Sequence, residues 1–439
     1  MITPRNGTVL KSKSSLLNAL VMMNLMVLNA CSDPVSDAVA SGEDTRVGIN
    51  TLREPFHKSD HVCSDYPSYY LEFLDDTKCQ KILPSQRDRE FQCPIQSSKA
   101  LIDSVSGYAT VDAVVDGQLD IDTQSLKRVL GDEGLSVTAI LIRRVDGVPY
   151  YRYLSNGRHS DILELWSSSK FLGILNASES LRYESEGKLG LDSTVDGIPV
   201  GDLVTIVHNY DERNYTSNGL MSWFHDVGGR EFANQILHGR WLNRPMNEKY
   251  GANYGAKSEA IGFEFKNSTD EVQIKPQLGW LPTNELSTLT LAEALKRVVM
   301  YRENPETHLE YSTWEDMKVL LYGAEESMWY DKQTPQGMES DTAVYMQNAL
   351  DIHAMETASQ GQWRIFSKLG LGFSRGGEFA HTDYACFPSF VDGEPQLDQG
   401  VELVISLHAS ANKDYVQGDL RVADIYRKIV QAVWNGEIR

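Results

Sequence analysis

Between Leu135 and Arg439 the apolar residues fall into two patterns, dense short runs near both ends and spacing by threes and fours in the middle. The runs predict strands and the spacing predicts helices, because side chains return to one face at every second residue of a strand and after about 3.6 residues of a helix. Ser136 to Arg144 and Tyr150 to Leu154 read as two strands joined by a turn at Asp146-Gly147, a pair that tolerates the left-handed backbone of a tight hairpin. Trp166 to Leu175 reads as a helix with Phe171, Leu172 and Leu175 on one side, and Val200 to Asn209 as another. The most amphipathic segment is Leu289 to Tyr301, where Leu291, Leu295, Val298 and Val299 oppose Glu293, Lys296 and Arg297. Strands follow at Trp363 to Phe373, Glu378 to Phe387 and Val401 to Ala409, and then a helix from Asp419 to Trp434. Two strands, a block of helices, three strands and a helix predict an α+β fold, an antiparallel sheet with helices on both faces and a helical subdomain.

Composition narrows the partners more than the fold. The 439 residues carry 41 Lys and Arg against 61 Asp and Glu, a formal net charge of −20. Such a surface repels phosphate backbones, and no run of five or more Lys and Arg offsets it, so nucleic acid is not an expected partner. At roughly 150 residues per domain the length suggests two or three domains, with a core large enough to stand without a metal. The sequence carries no cofactor motif, and no spacing of Cys or His suggests a zinc site, so neither a cofactor nor a metal is expected.

Arg5, Lys11 and Lys13 precede a mostly apolar stretch, Leu16 to Leu28, that is too short to span a bilayer as a helix. It ends in Leu28-Asn29-Ala30-Cys31, which resembles the lipobox of bacterial lipoproteins. The resemblance implies a signal peptide over residues 1–30 and lipidation of Cys31. With Ser32 next, it implies the periplasmic face of the outer membrane, held by the lipid alone. An ordinary cleaved signal peptide is the alternative, and both readings export the chain. Residues 31–60, rich in Ser, Asp, Val and Gly, read as a flexible tether. Cys63, Cys79, Cys93 and Cys386 make an even set in an oxidising compartment, so two disulfides are expected in any of three pairings. Three of the four lie between 63 and 93, so full pairing would staple an N-terminal segment, residues 61–134, to the region of Cys386.

Candidate chemistry lies in three short motifs. Ser167-Ser168-Ser169-Lys170 places a hydroxyl and an amine one helical turn apart, the arrangement in which a lysine can take a serine's proton. Ser185 with Lys188 and Ser410 with Lys413 repeat the spacing, but only the first copy follows a hairpin and opens a helix. Thr216-Ser217-Asn218 supplies a hydroxyl and an amide, and Lys368-Leu369-Gly370-Leu371-Gly372 puts a K-x-G-x-G on an expected strand. The glycines leave a bare strand edge that an extended substrate could approach. His381 and Asp383 alternate on the next strand and, without a matched serine, read as packing or surface residues.

In this order the three motifs resemble the S-x-x-K, S-D-N and K-T-G of the serine β-lactamase and penicillin-binding protein superfamily, nearest its class A branch, over residues 135–439. Glu186 to Asp192, Gly228-Gly229 and Leu286 to Thr290 extend the resemblance. It implies a β-lactamase-like domain in which Ser167 is acylated, Lys170 is the base and Thr216 relays a proton to the leaving nitrogen. Asn218 would hold the acyl side chain and Lys368 would attract a substrate carboxylate. The N–H groups of Ser167 and of a residue just after Gly370 would form an oxyanion hole. The substrates implied are β-lactams or D-Ala-D-Ala-type peptides of peptidoglycan.

Departures from the family pattern set limits on that expectation. Thr216 and Ser217 stand where serine and aspartate are usual, and Leu369 stands where a hydroxyl normally meets the substrate carboxylate. Arg375 is a candidate to compensate. The E-x-x-L-N whose glutamate activates the deacylating water is missing, and Glu248, Glu259 and Glu264 lack its context. Two other readings therefore stand beside a penicillin-recognising hydrolase: a serine esterase or amidase on another substrate, and a non-catalytic lipoprotein that keeps the fold.

Overall fold

The hairpin forms as its turn residues predict: Asp146 and Gly147 take φ of 51° and 80°, and Val145 pairs with Val148 across them. The structure is a computed structural model that describes residues 83–111, 119–131, 135–211, 214–279, 281, 283–341, 350, 352–372, 377–410 and 415–439, without the side chains of 240, 352 and 415–420. All of these lie in one compact unit, Leu52–Arg439. The expected signal peptide, Cys31, the tether, Cys63, Cys79 and Arg375 lie outside the described residues.

The main sheet has seven strands. They are β1 (Tyr108–Ala109), β2 (Ile121–Asp122), β3 (Ser136–Val145), β4 (Val148–Ser155), β5 (Arg364–Gly372), β6 (Glu378–Phe387) and β7 (Val401–Ser410), in the order β1-β4-β3-β7-β6-β5 with β2 beside β4. Every pairing is antiparallel except β2 with β4. Strand β5, which carries the K-x-G-x-G, is an edge strand, with Lys368 opposite Thr382 of β6.

Six helices matter for the site: α1 (Lys170–Glu184), α2 (Val200–Asn209), α3 (Ser217–Gly228), α4 (Thr288–Val299), α5 (Trp314–Tyr322) and α6 (Tyr415–Trp434). Helices cover both faces of the sheet, as the pleat shows at two neighbours on β6. Tyr384 donates to Glu402 on the face that also holds Arg144 and Met300, at the end of α4, whereas Asp383 meets Tyr426 of α6 on the other. Thr288, the first residue of α4, shares a 2.9 Å hydrogen bond with Thr138 of β3. The chain therefore has the α+β architecture expected from its pattern.

Helix α1 runs nine residues beyond the expected end at Leu175, and its outer positions are polar yet buried. Each finds a partner. Asn176 donates to Gly229 O at 3.0 Å, Glu179 accepts from Ser312 N at 2.7 Å, and Arg182 pairs with Asp316 at 2.9 Å. Buried polar groups at those positions are tolerable only because α3, α5 and the loop before α5 supply these partners.

Of the three pairings open to the cysteines, the structure contains Cys93 with Cys386, a bridge between residues 293 apart in sequence. It fastens the segment before α1 to β6, and Arg364 of the neighbouring β5 also holds that segment by donating to Gln86 O at 2.7 Å. Replacing both cysteines by alanine is expected to cost about 3–5 kcal/mol, since so long a loop restricts the unfolded chain strongly. Urea unfolding of the variant, and of the native protein with and without reductant, checks this.

Candidate active site

Trp166 has φ 49°, a conformation that a bulky residue keeps only where its surroundings hold it. Its indole donates to Glu378 Oε2 on β6 at 3.2 Å. The 3₁₀ turn Trp166–Ser169 that follows runs directly into α1, so half-buried Ser167 stands one turn ahead of fully buried Lys170. Backbone strain next to the candidate nucleophile is a feature the sequence did not show.

The edge of β5 lies against this turn. A Cβ on Gly370 would sit 2.7 Å from Leu165 O and Ser168 N, and 3.0 Å from Ser167 N. A Cβ on Gly372 would enter the Trp166 ring. Both glycines are therefore required by close approach, which brings the strand edge beside the Ser167 amide. The Leu369 N–H leaves the sheet to donate to Asp341 Oδ2 at 3.1 Å. Strand geometry repeats every second residue, so the Leu371 N–H also points off the edge. The Ser167 amide therefore lies beside the edge from which the Leu371 N–H projects. Gly370→Ala is expected to cost about 1–3 kcal/mol by overpacking. It should also slow reaction at Ser167 by about tenfold or more. Urea midpoints and the rate of serine labelling measure the two effects.

Lys170 Nζ donates to Ser217 Oγ at 2.8 Å and to Asn218 Oδ1 at 2.7 Å. It also lies 5.1 Å from the ring centre of Tyr254 and 5.4 Å from that of Tyr210. Tyr254 comes from the Tyr250-to-Gly255 loop, and its hydroxyl meets Ser169 Oγ at 2.9 Å and Tyr250 at 3.3 Å. Desolvation pushes the Tyr254 phenol up to about 12, so it lines the site as a neutral hydroxyl. His225 of α3 stacks on it, with ring centres 6.3 Å apart.

Thr216 does not occupy the place the resemblance gave it. Its hydroxyl caps α3 by accepting from Gly219 N at 3.0 Å and donates to Glu259 Oε1 at 2.8 Å, on an exposed surface. The reason is positional: the residue that N-caps a helix turns its oxygen onto the helix's first N–H groups. Ser217, one residue later and buried, is the hydroxyl that reaches Lys170, and it also donates to Val207 O at 2.9 Å. Asn218 turns its carbonyl to Lys170 and keeps N–H donors, which suit an acyl carbonyl.

Lys368 is fully buried beside Tyr210, which also lies near Lys170. Its ammonium donates to Tyr210 Oη at 2.8 Å, to Leu369 O at 3.1 Å and to Asp341 Oδ1 at 3.3 Å. Burial works against its charge, but Tyr210 and Asp341 outweigh burial and raise its pKa. Tyr210 follows the end of α2 at φ 55°, and its ring also lies under Lys368, 4.2 Å from Nζ. Tyr210 therefore touches both lysines, and nothing in the three motifs points to it. Asp341 was equally hidden: it precedes β5 by more than twenty residues, and only folding brings it to that strand's edge.

The remaining candidates go elsewhere. Glu248 is buried against Ser287 and Thr290, Glu259 holds Thr216, and half-buried Glu264 pairs with Lys266. His381 and Asp383 are both buried, the first 3.9 Å from Asp341 and the second against Tyr426. The Ser185 copy of the S-x-x-K lies in a turn where Ser185 Oγ donates to Leu189 O, and Lys413 of the third copy is outside the described residues. Among the described residues no group of three or more His, Cys, Asp or Glu is arranged to hold a metal ion.

No protein-family model and no curated protein matches the sequence. Solved structures do. An ancestral class A β-lactamase is 14% identical over 70% of this chain and 97% of its own, with a TM-score of 0.40. A class A β-lactamase from Mycobacterium abscessus is 14% identical over 71% and 97%, with a TM-score of 0.38. A β-lactamase from Xanthomonas campestris is 13% identical over 73% and 98%, with a TM-score of 0.37.

Proposed function

We propose that the protein is a serine acyl enzyme of the β-lactamase and penicillin-binding type, with Ser167 as nucleophile and Lys170 as its base. The observation that carries this is the meeting of three distant segments: Ser167 on its strained turn, Lys170 bonded to Ser217 and Asn218, and the β5 edge lying against the Ser167 amide. In the reaction, Ser167 Oγ bonds to the acyl carbon while its proton passes to neutral Lys170. The negative oxygen forms between the Ser167 and Leu371 amides, and collapse expels the leaving group, which takes the proton. Water then releases the acid and restores the serine. Glu248, Glu259 and Glu264 are engaged elsewhere, so the acyl enzyme is expected to persist.

A fluorophosphonate probe tests the reading because it phosphonylates any activated serine whatever the enzyme's substrate. Intact-protein mass spectrometry is expected to show one adduct on the full-length chain and none on Ser167→Ala. An adduct that survives in Ser167→Ala would move the nucleophile elsewhere, and no adduct on either would leave a binding protein with this fold.

A further inference from the structure

We infer that the acyl donor for this site is a neutral ester or amide, carrying no carboxylate on the side that lies along β5. The inference rests on the acyl-enzyme reading of Ser167 and specifies its substrate class. An anionic substrate would need an uncommitted cation at the strand edge, and among the described residues the cation there, Lys368, is already committed. It is fully buried, and each of its three N–H donors has an acceptor in Tyr210, Leu369 or Asp341. Asp341 supplies the anion that a substrate would otherwise bring. One of its oxygens meets Lys368, and the other accepts from the Leu369 N–H and from Ser367 Oγ, both at 3.1 Å.

The two histidines beside this pair add no positive charge. His208 and His381 are buried against Lys368 and Asp341, and desolvation lowers them to about 3 and about 4, so both are neutral near pH 7. Leu369 presents an isobutyl group where a hydroxyl could donate to a carboxylate. A net charge of −20 gives no long-range attraction for an anion. Among the described residues, a carboxylate placed on this edge would face Asp341 and a leucine, whereas a neutral ester would lose nothing to them.

A matched pair isolates the charge: benzylpenicillin and its methyl ester share the acyl group and the strained ring and differ only in the carboxylate. Acylation of the full-length protein is followed by intact mass, with p-nitrophenyl butyrate as a second neutral donor and Ser167→Ala as control. One neutral donor or both should acylate Ser167 at least about tenfold faster than the free acid, the cost of one unmet charged hydrogen bond. Asp341→Asn, and separately Leu369→Ser should that variant not fold, are expected to narrow the gap by giving the carboxylate a donor. Benzylpenicillin reacting as fast as the neutral donors would overturn the inference and leave the acyl enzyme intact. If none of the three acylates Ser167 while a fluorophosphonate still labels it, the inference is overturned and the acyl enzyme stands; if the fluorophosphonate fails as well, the acyl-enzyme reading itself is lost.

Discussion

Lys170→Met is expected to slow acylation of Ser167 by about a thousandfold, within the range that a positioned general base contributes. Serine is a weak nucleophile at neutral pH, and its rate depends on a group that takes its proton as the bond forms. Lys170 is the amine one turn away, fully buried, and aimed by Ser217 and Asn218. Hydrogen bonds to these two residues fix the direction of the amine. Methionine preserves the length and bulk of the side chain, so the loss should fall on rate with much less effect on the packing of α1. The rate of fluorophosphonate labelling measures it, with circular dichroism to establish that the variant folds. Labelling at the native rate would exclude Lys170 as the base. Tyr210, which touches both lysines, would then be the next group to test.

Acidification should unfold the protein steeply between about pH 6 and pH 4. Three histidines are fully buried and held neutral: burial lowers His208 and His225 to about 3 and His381 to about 4. In the unfolded chain each returns to about 6.5. Below that value the unfolded state binds protons the native state refuses, so stability falls as pH falls. The contribution is complete above about pH 6.5, and its loss continues down to the folded values of about 4 and about 3. Near pH 5 each histidine contributes a slope of about 1.4 kcal/mol per pH unit, and the three together about 4. Asp341 near His381 works the other way and is already counted in that lowered value. Urea midpoints measured from pH 7.5 to 4.5 check the slope, and a flat profile would mean these rings are hydrated. The triple change His208→Gln, His225→Phe and His381→Gln, if it folds, should flatten the curve.

How much of this was legible depends on whether a feature is local. Binary pattern placed the hairpin, α2, α4 and the last three strands of the main sheet within a few residues, since strands buried on both faces keep dense apolar runs and helices keep apolar residues spaced by threes and fours. Helix α1 was cut short because Asn176, Glu179 and Arg182 are polar on sides that turned out to be buried, and a period analysis reads a buried polar residue as surface. The motif serine, lysine, asparagine and Gly-x-Gly were legible for the same local reason: spacing along a helix or strand is written in sequence.

By itself, then, the sequence determined the α+β order of elements, the one-turn spacing of Ser167 and Lys170, and the glycines that keep the β5 edge bare. Tertiary structure decided which hydroxyl faces Lys170, taking Ser217 and turning Thr216 onto the start of α3. It chose Cys93 as the partner of Cys386, and it brought Tyr210, Tyr254 and Asp341 to the two lysines from loops with no motif of their own. The physical reason is range. Periodicity and capping act over three or four residues, whereas the charge state and hydrogen-bond capacity of a buried lysine are set by whatever folding places within about 3 Å of it.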